Sequence, residues 1–538
     1  MKSHVWRAAL LYAALTVFFT WPLARRAHDS SLPVSPDTHL FAWTLAWDTH
    51  TIVRQPLAIF DANIFYPERR TLAYSENLLG STIFAAPILW LTGNPVLAMN
   101  AVALLSCVLC GLGAYLLALR AGVSRSGALL CGAIFAFSPA RLFRIGQLHL
   151  TTIQWVPFTL AFLHTYLDER RGRDLRIATA FFTLQMLTSG HGAVFLIVAI
   201  AALLVYRFAS GEPFDLARHI KDFGIAGALL LVPVALLIIP YRRVQAEMGL
   251  ERTLDNWTVT PESFIASPTH AHMAIIARVW DGNIWDTASA TLFPGYLPIA
   301  LAIVAVVTVR LKGDTTRATV FYALLTAFAI LFCVGPPLGL WPYVHWLPGF
   351  NFIRVPSRFM LLAVLGMAVL SGIGFDRLAR WLPETRRRVA AVVAGFILAI
   401  EFAAIPFTLE RFAIRIPAAD RWLASQPTPF VVAEMPTDIS ERLQTTYMLH
   451  AMAHWQKTIH GYSGMRPPLH EDLYRQLRRF PDDLTIARLK ELGVTYVVVH
   501  ADMYAADQWP IVERRLGEFA DRLKLDYLGA DGRVYSVR

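Results

Sequence analysis

"SPDTHLFAWTLAWDTH", residues 35–50, decides how the chain is read. It follows closely on an apolar run, residues 8–23, and sets Asp37, His39, Asp48 and His50 among Phe41, Trp43 and Trp47. If the stretch is helical, Pro36 occupies the first turn and Ser35 caps it. Asp37, Phe41, Thr44 and Asp48 then share one face, with His39, Trp43 and His50 beside it. A carboxylate at such a helix start has three readings. It acts as a general base toward a hydroxyl, it holds a divalent cation (Mg2+ or Mn2+) with His39, or it only complements the helix dipole.

Composition narrows the setting. Of 538 residues, 55% are hydrophobic and 16% charged, too few polar groups to cover a soluble chain of this length. The chain reads as a polytopic membrane protein. Its net charge of +10 falls in short Arg clusters between apolar runs, the positive-inside pattern, and no nucleic acid partner is expected. Cys107, Cys110, Cys131 and Cys333 lie inside apolar runs and read as core residues, not a metal or redox site.

With about 20 apolar residues needed per crossing, roughly eleven spans fit. They lie near 8–24, 95–120, 126–140, 150–168, 174–190, 191–208, 221–240, 291–310, 318–335, 358–376 and 389–407; the run 79–92 reads as interfacial. The segments 120–125, 168–176, 310–317 and 376–388 carry the basic residues of one side, shared with Lys2 and Arg7. That side is expected to be cytoplasmic. The first loop (25–94), the loop 241–290, the loop 336–357 and everything after about 408 are then outside. The expected domains are a membrane domain, 1–408, and a soluble one, 409–538. In the latter, "FVVAEMP" (430–436) and "VTYVVVHAD" (494–502) read as buried strands. Residues 483–493 and 508–523 read as amphipathic helices, and 530–538 as a turn and a final strand.

The outer side also carries Arg25, Arg26, Arg141, Arg144, Arg242, Arg243, Arg252, Arg354 and Arg358. They either snorkel to the interface or converge on an anion. In "FNFIRVPSRF" (350–359), Arg354 and Arg358 flank Val355-Pro356-Ser357, where a helix start would offer free N–H groups to a phosphate; an anchor at the headgroups is the other reading. "RLFRIGQLHL" (141–150) adds Arg144 and His149, and "TSGHG" (188–192) adds His191.

These pieces together resemble the GT-C superfamily of membrane glycosyltransferases. The likeness rests on a first membrane helix, an acid early in a long outer loop, many further spans and a soluble C-terminal domain. "FYP" (65–67), "GAIFAFSPARLFRIGQLHL" (132–150), "FNFIRVPSRF", "HGYSG" (460–464) and "LKELGVTYVVVH" (489–500) are similar to a bacterial branch related to YfhO-type proteins. The resemblance implies a mainly α, polytopic helix bundle with a small extracytoplasmic α/β domain, in a bacterial inner membrane. It implies transfer of a hexose or pentose from a polyprenyl-phosphate donor to a cell-envelope acceptor, with inversion. Asp37 matches the superfamily's base. Arg354, Arg358 and Arg144 would take the donor phosphate, and His39, Trp43, His149, His191 and Tyr462 would line the substrates. Many members have a second acid beside the first, whereas Thr38 and His39 follow Asp37 here. A transporter or lipid flippase, marked by ionisable groups in mid-span such as Glu401, and a non-catalytic protein of the same fold are the competing classes.

Overall fold

"MLLAVLGMAVLSGIGFDRLA", residues 360–379, has apolar or small residues on every side as far as Phe375. A helix of that kind has to be buried. The computed structural model describes residues 2–32, 34–211, 216–249, 259–309, 315–335, 339–347, 350, 353 and 355–538, and it buries this helix, Met360–Ala379, almost throughout. Three glycines bring neighbours to its backbone. Gly366 lies against Tyr322 and Thr326 of the helix Thr316–Cys333, and Gly372 against Gly127 of the helix Arg125–Phe137. Gly374 meets the Leu301 carbonyl of the helix Tyr296–Val307 closer than any side-chain carbon can stand. Small residues at helix contacts are what close packing requires where lipid supplies no hydrophobic drive.

This helical unit comprises Met1–Ala27, Asn100–Leu237 and Leu250–Leu409. Two of its buried charged groups find their partners inside the unit. Arg141, expected among the outward arginines, instead points inward. Its guanidinium donates to the carbonyls of Ala136 (2.7 Å) and Thr151 (2.8 Å) and to Ser106 Oγ (3.1 Å). Glu401, the acid that would mark a transporter, accepts from His272 Nε2 (2.9 Å) and from the backbone N–H groups of Tyr296 and Leu297. It therefore caps the helix Tyr296–Val307. All four cysteines are buried and free.

Among the described residues, four helices are long and apolar enough to cross a membrane: Pro95–Arg120, Gly190–Ala209, Thr316–Cys333 and Pro356–Ala379. A bent pair, His219–Ala228 and Val232–Met248, makes a fifth if it is one span. The other expected spans fall on shorter or more charged helices, such as Arg125–Phe137 and Trp155–Glu169.

The second unit comprises His28–Met99, Ile238–Gly249 and Glu410–Arg538. Its centre is a five-stranded sheet of β1 (Val431–Met435), β2 (Lys457–Thr458), β3 (Tyr496–Val499), β4 (Leu523–Leu528) and β5 (Arg533–Val537), in the order β2-β1-β3-β5-β4. β1 runs parallel to β2 and β3, while β5 is antiparallel to β3 and β4. The alternation of strand side chains sorts the core. Ala433, Met435, Val497 and Val499 face one cluster with Leu473, Ile486 and Leu489. Val432 and Val498 face another with Ala419, Leu423 and Phe430. The strands and helices expected from residue 430 onward form, except that the helix Trp509–Glu518 stops early and Leu523–Leu528 becomes a strand.

The first loop completes this sheet. Thr458 N–H donates to Asn63 O (2.8 Å), Tyr66 N–H to Thr458 O (2.9 Å) and Phe65 N–H to His460 O (3.0 Å). The edge β2 would otherwise present unpaired backbone groups. Phe65 adopts a left-handed backbone, φ 57°, and its ring fills the place where a side chain on Gly461 would stand. "FYP" and "HGYSG" thus meet. Residues 238–249 join through Tyr241, whose hydroxyl donates to Ser75 O and accepts from Asn77 Nδ2, and through the Arg70–Glu247 ion pair.

The glycine contacts make a direct prediction. Gly374→Ala should lower the thermal stability of the detergent-purified chain, by about 1–3 kcal/mol for overpacking. Gly395→Ala, in the helix Glu384–Phe402 with open space around it, should be neutral or stabilising. Equal behaviour of the two variants in a thermal-shift assay would contradict the packing described.

Candidate active site

The sequence around Asp37 forms the expected helix, Pro36–Arg54. Ser35 Oγ accepts from Thr38 N–H (3.3 Å) and Thr38 Oγ1 accepts from Ser35 N–H (3.2 Å), a reciprocal cap that fixes the first turn. Asp37 is half-buried in that turn, and its Oδ1 accepts from the Tyr462 hydroxyl (2.9 Å). The acid and the tyrosine of "HGYSG" are 425 residues apart in sequence and are joined in one unit.

His39 is held beside them by the helix Glu441–His450. Its Nδ1 lies 2.9 Å from Thr445 Oγ1, whose own proton goes to Arg442 O (2.9 Å). His39 is therefore the donor in that bond, and its Nε2 keeps a lone pair. The ring stacks on Phe412 at 4.9 Å. Burial, and then the charge of Arg442, lower its pKa to about 4, so it is neutral at physiological pH.

Two other residues of the opening stretch are core. Trp43 is 1% exposed and stacks on Trp47 at 6.0 Å, which leaves its ring covered by protein rather than at a surface. Asp48 is fully buried and accepts from Thr82 Oγ1 (2.9 Å). Burial pushes its carboxyl well above the usual range despite that bond.

His50 stacks on Trp455 (4.4 Å) at the far end of the helix, about 20 Å from Asp37 by helical rise. There it lines a cavity of about 1040 Å³ with Arg54, Tyr66, Trp455 and Lys457.

The helical unit assembles a separate basic group. Pro356–Phe359 is a 3-10 turn ahead of the buried helix, and it carries Arg358. Arg358 Nη1 donates to His191 Nε2 (2.5 Å). The rings of His191 and His149 lie 5.0 Å apart. Arg144 and Arg358 both stand close enough to His149 to act on its charge. Arg144, His149, His191 and Arg358 are thus brought together. Arg354 lies outside the described residues.

The sequence reading missed a second constellation in the α/β unit. Asp420, Glu434, His450 and His500 each offer one ligand atom, all within 4.8 Å of one another. Among the described residues this group of four has an arrangement that could hold a metal ion. Burial and then Glu434 push Asp420 up to about 7, while Glu434 raises His500 to about 9 against its burial. The available signal was Glu434 itself, a carboxylate inside the apolar strand "FVVAEMP", which burial makes costly without partners.

No protein-family model and no curated protein matches the chain. Solved structures do. An oligosaccharyltransferase from Archaeoglobus fulgidus, solved with Zn and sulfate, aligns with TM-score 0.50 at 13% identity, covering 99% of this chain and 73% of its own. The arabinofuranosyltransferase AftD from mycobacteria aligns with TM-score 0.59 at 15% identity, over all of this chain and 41% of its own. ArnT from Cupriavidus metallidurans, bound to undecaprenyl phosphate, aligns with TM-score 0.50 at 12% identity, covering 98% and 97%.

The chain shares its fold with these solved proteins. Identities this low carry the fold alone. Asp37 stands in the first turn of the second long helix, after the helix Lys2–Phe19.

Acid should weaken the unit that holds Asp37. Burial, then the charges of Arg442 and Arg466 respectively, lower His39 and His470 to about 4, with a bond to Tyr66 O partly opposing the shift at His470. Unfolded histidines take up protons below about pH 6.5 and these folded ones do not. The contribution of these two histidines is then constant above pH 6.5 and falls between pH 6.5 and 4, by up to about 1.4 kcal/mol per pH unit for each. Thermal midpoints between pH 7.5 and 4.5 should fall less steeply for a His39→Gln, His470→Gln double variant than for wild type.

Proposed function

We propose that the chain is a membrane glycosyltransferase that moves a sugar from a polyprenyl-phosphate-linked donor to an extracytoplasmic acceptor, with inversion. The observation that carries this reading is Asp37, half-buried on the capped first turn of its helix and oriented by the Tyr462 hydroxyl. Tyr462 occupies one carboxylate oxygen and leaves the other to accept a proton. In the proposed step, Asp37 takes the proton of the acceptor hydroxyl while that oxygen bonds to the anomeric carbon. The bond from the anomeric carbon to phosphate breaks, and the lipid phosphate leaves with its electron pair. Negative charge grows on the phosphate, where positive groups stabilise it. Within the helical unit, Arg144 and Arg358, the latter held by His191, are the groups proposed for an anion.

The same reading covers topology and ions. About eleven crossings, an N-terminus in the cytoplasm of a bacterial cell and the Asp37 unit outside the inner membrane suit a donor that arrives from the bilayer. A divalent cation at Asp37, with His39 Nε2 as second ligand, is the alternative to the base role, since the one oxygen that Tyr462 leaves cannot serve both. A transporter would keep ionisable groups free in its spans. Glu401 is instead used as a helix cap, and Gln185 bonds to Thr152 O (3.1 Å), which weighs toward the enzyme.

The test is release of polyprenyl phosphate and restoration of a surface glycan in membranes of a deletion strain, read by mass spectrometry. At equal protein level, Asp37→Asn should lose activity by a hundredfold or more, as expected for removal of a general base. Tyr462→Phe should lower kcat by about tenfold, the worth of one hydrogen bond to a charged group. Arg358→Lys keeps the charge but loses the fork, and should raise the donor KM more than it lowers kcat. Full activity in Asp37→Asn would leave Asp37 a helix-terminal charge and remove the main support for a transferase.

A further inference from the structure

Asp420, Glu434, His450 and His500 come from four elements around one face of the sheet. Asp420 lies on the short helix Ala418–Leu423, Glu434 in β1, His450 at the end of the helix Glu441–His450, and His500 directly after β3. Glu434 and Val432 are two residues apart on β1 and share a face, the one covered by Ala419 and Leu423. All four side chains are buried, with exposures of 0, 1, 5 and 1% in that order. His450 Nδ1 and His500 Nε2 each lie 2.7 Å from Glu434 Oε2, and His450 Nδ1 lies 3.9 Å from Asp420 Oδ2.

This group is left short of partners. Both carboxylate oxygens of Asp420, Glu434 Oε1 and the neighbouring His454 Nε2 are buried without a hydrogen bond. Four such atoms in one cluster are an unusual concentration, because buried polar groups are otherwise satisfied. A cation among them would engage the carboxylates at once. The orientation of His500 fits as well. Its Nδ1 lies 3.2 Å from the Asp531 carbonyl, which fixes that nitrogen as the donor and turns Nε2 into the cluster. Metal-ligating histidines are held in this way, by a backbone carbonyl on the second nitrogen.

We propose that Asp420, Glu434, His450 and His500 form a closed divalent-metal site, best suited to Zn2+, that staples the helix Ala418–Leu423 and the helix Glu441–His450 to the C-terminal ends of β1 and β3. Two carboxylates balance a charge of two, and two imidazoles favour a borderline ion over Mg2+ or Ca2+. A tetrahedral Zn2+ with bonds of 2.0–2.1 Å sets its ligand atoms about 3.3 Å apart. The present separations of 2.7 and 3.9 Å lie on either side of that value. The site admits no solvent, so its role is structural; catalytic zinc keeps an open position. The site is independent of Asp37 and of the transferase reading.

The experiment uses the full chain, purified in detergent from zinc-supplemented cells, desalted and analysed by mass spectrometry for metals. About one Zn2+ per chain is expected in wild type and in Asp37→Asn. Asp420→Asn and His500→Gln should each weaken retention by tenfold or more, in line with losses seen when a metal site is disturbed. Because those variants could fail to fold, zinc-edge X-ray absorption on wild type supplies a second reading. A shell of nitrogen and oxygen only, with imidazole scattering, is expected. Metal-free wild type that takes up no Zn2+, Mn2+, Co2+ or Ni2+ would overturn the site and leave a proton-sharing network. Bound zinc with sulfur scattering, or retained in full by folded cluster variants, would overturn it equally.

Discussion

An unpaired sheet edge is the constraint on which the Asp37 unit depends. β2 has two residues and lies at the end of the sheet. Its outward backbone groups need partners, and residues 63–66 supply them. Pinning that segment also places what precedes it in the chain. The helix Pro36–Arg54 packs against the helix Glu441–His450, and Tyr462, just past the edge, reaches Asp37. His460 locks the same corner. Its Nε2 accepts from the Glu434 backbone N–H (2.7 Å), which leaves its Nδ1 to donate to Gln444 Oε1 (2.9 Å). Edge pairing, the orientation of the acid and the buried His–carboxylate cluster are therefore neighbours in one hydrogen-bonded network, and none of them is confined to one stretch of sequence.

The helical unit is built on a different constraint. A helix apolar all round can lie in the centre only if backbones can approach it, and its glycines permit this on three sides. Polar groups buried with it have no water to turn to. Arg141 is spent on carbonyls and Glu401 on a helix start. Arg358, Arg144, His149 and His191 form a cationic and imidazole-rich group. Charge alone does not distinguish these arginines from Arg141, which holds the fold.

The α/β unit carries histidines that burial keeps neutral, such as His39, His460 and His470, alongside carboxylates that are treated unequally. Burial pushes the carboxyl of Asp48 up, with one hydroxyl for company. Burial would do the same to Glu434, but His450 and His500 outweigh it and hold its carboxyl well below the usual range. Two hydrogen-bonded histidines beside Glu434, against one hydroxyl beside Asp48, account for the opposite shifts of these two buried acids.

The sequence by itself determined the local structure around Asp37, because a Ser-Pro start and a Thr three residues after the serine specify a capped helix through contacts within one turn. It likewise determined the strands 431–435 and 496–499 and the helix 483–491, whose apolar periods match their elements. It pointed to a membrane protein and, through resemblance, to the GT-C superfamily. Tertiary structure decided which side chains meet. Tyr462 reaching Asp37, Arg358 reaching His191, Arg141 turning inward and four elements converging around Glu434 all join residues far apart in the chain. Such pairings depend on edge closure and helix packing, and no local pattern encodes them. The span count shows the same limit. Hydropathy marks apolar length, but several expected crossings fall on helices too short or too charged to qualify by themselves, since packing among neighbours sets where each helix ends.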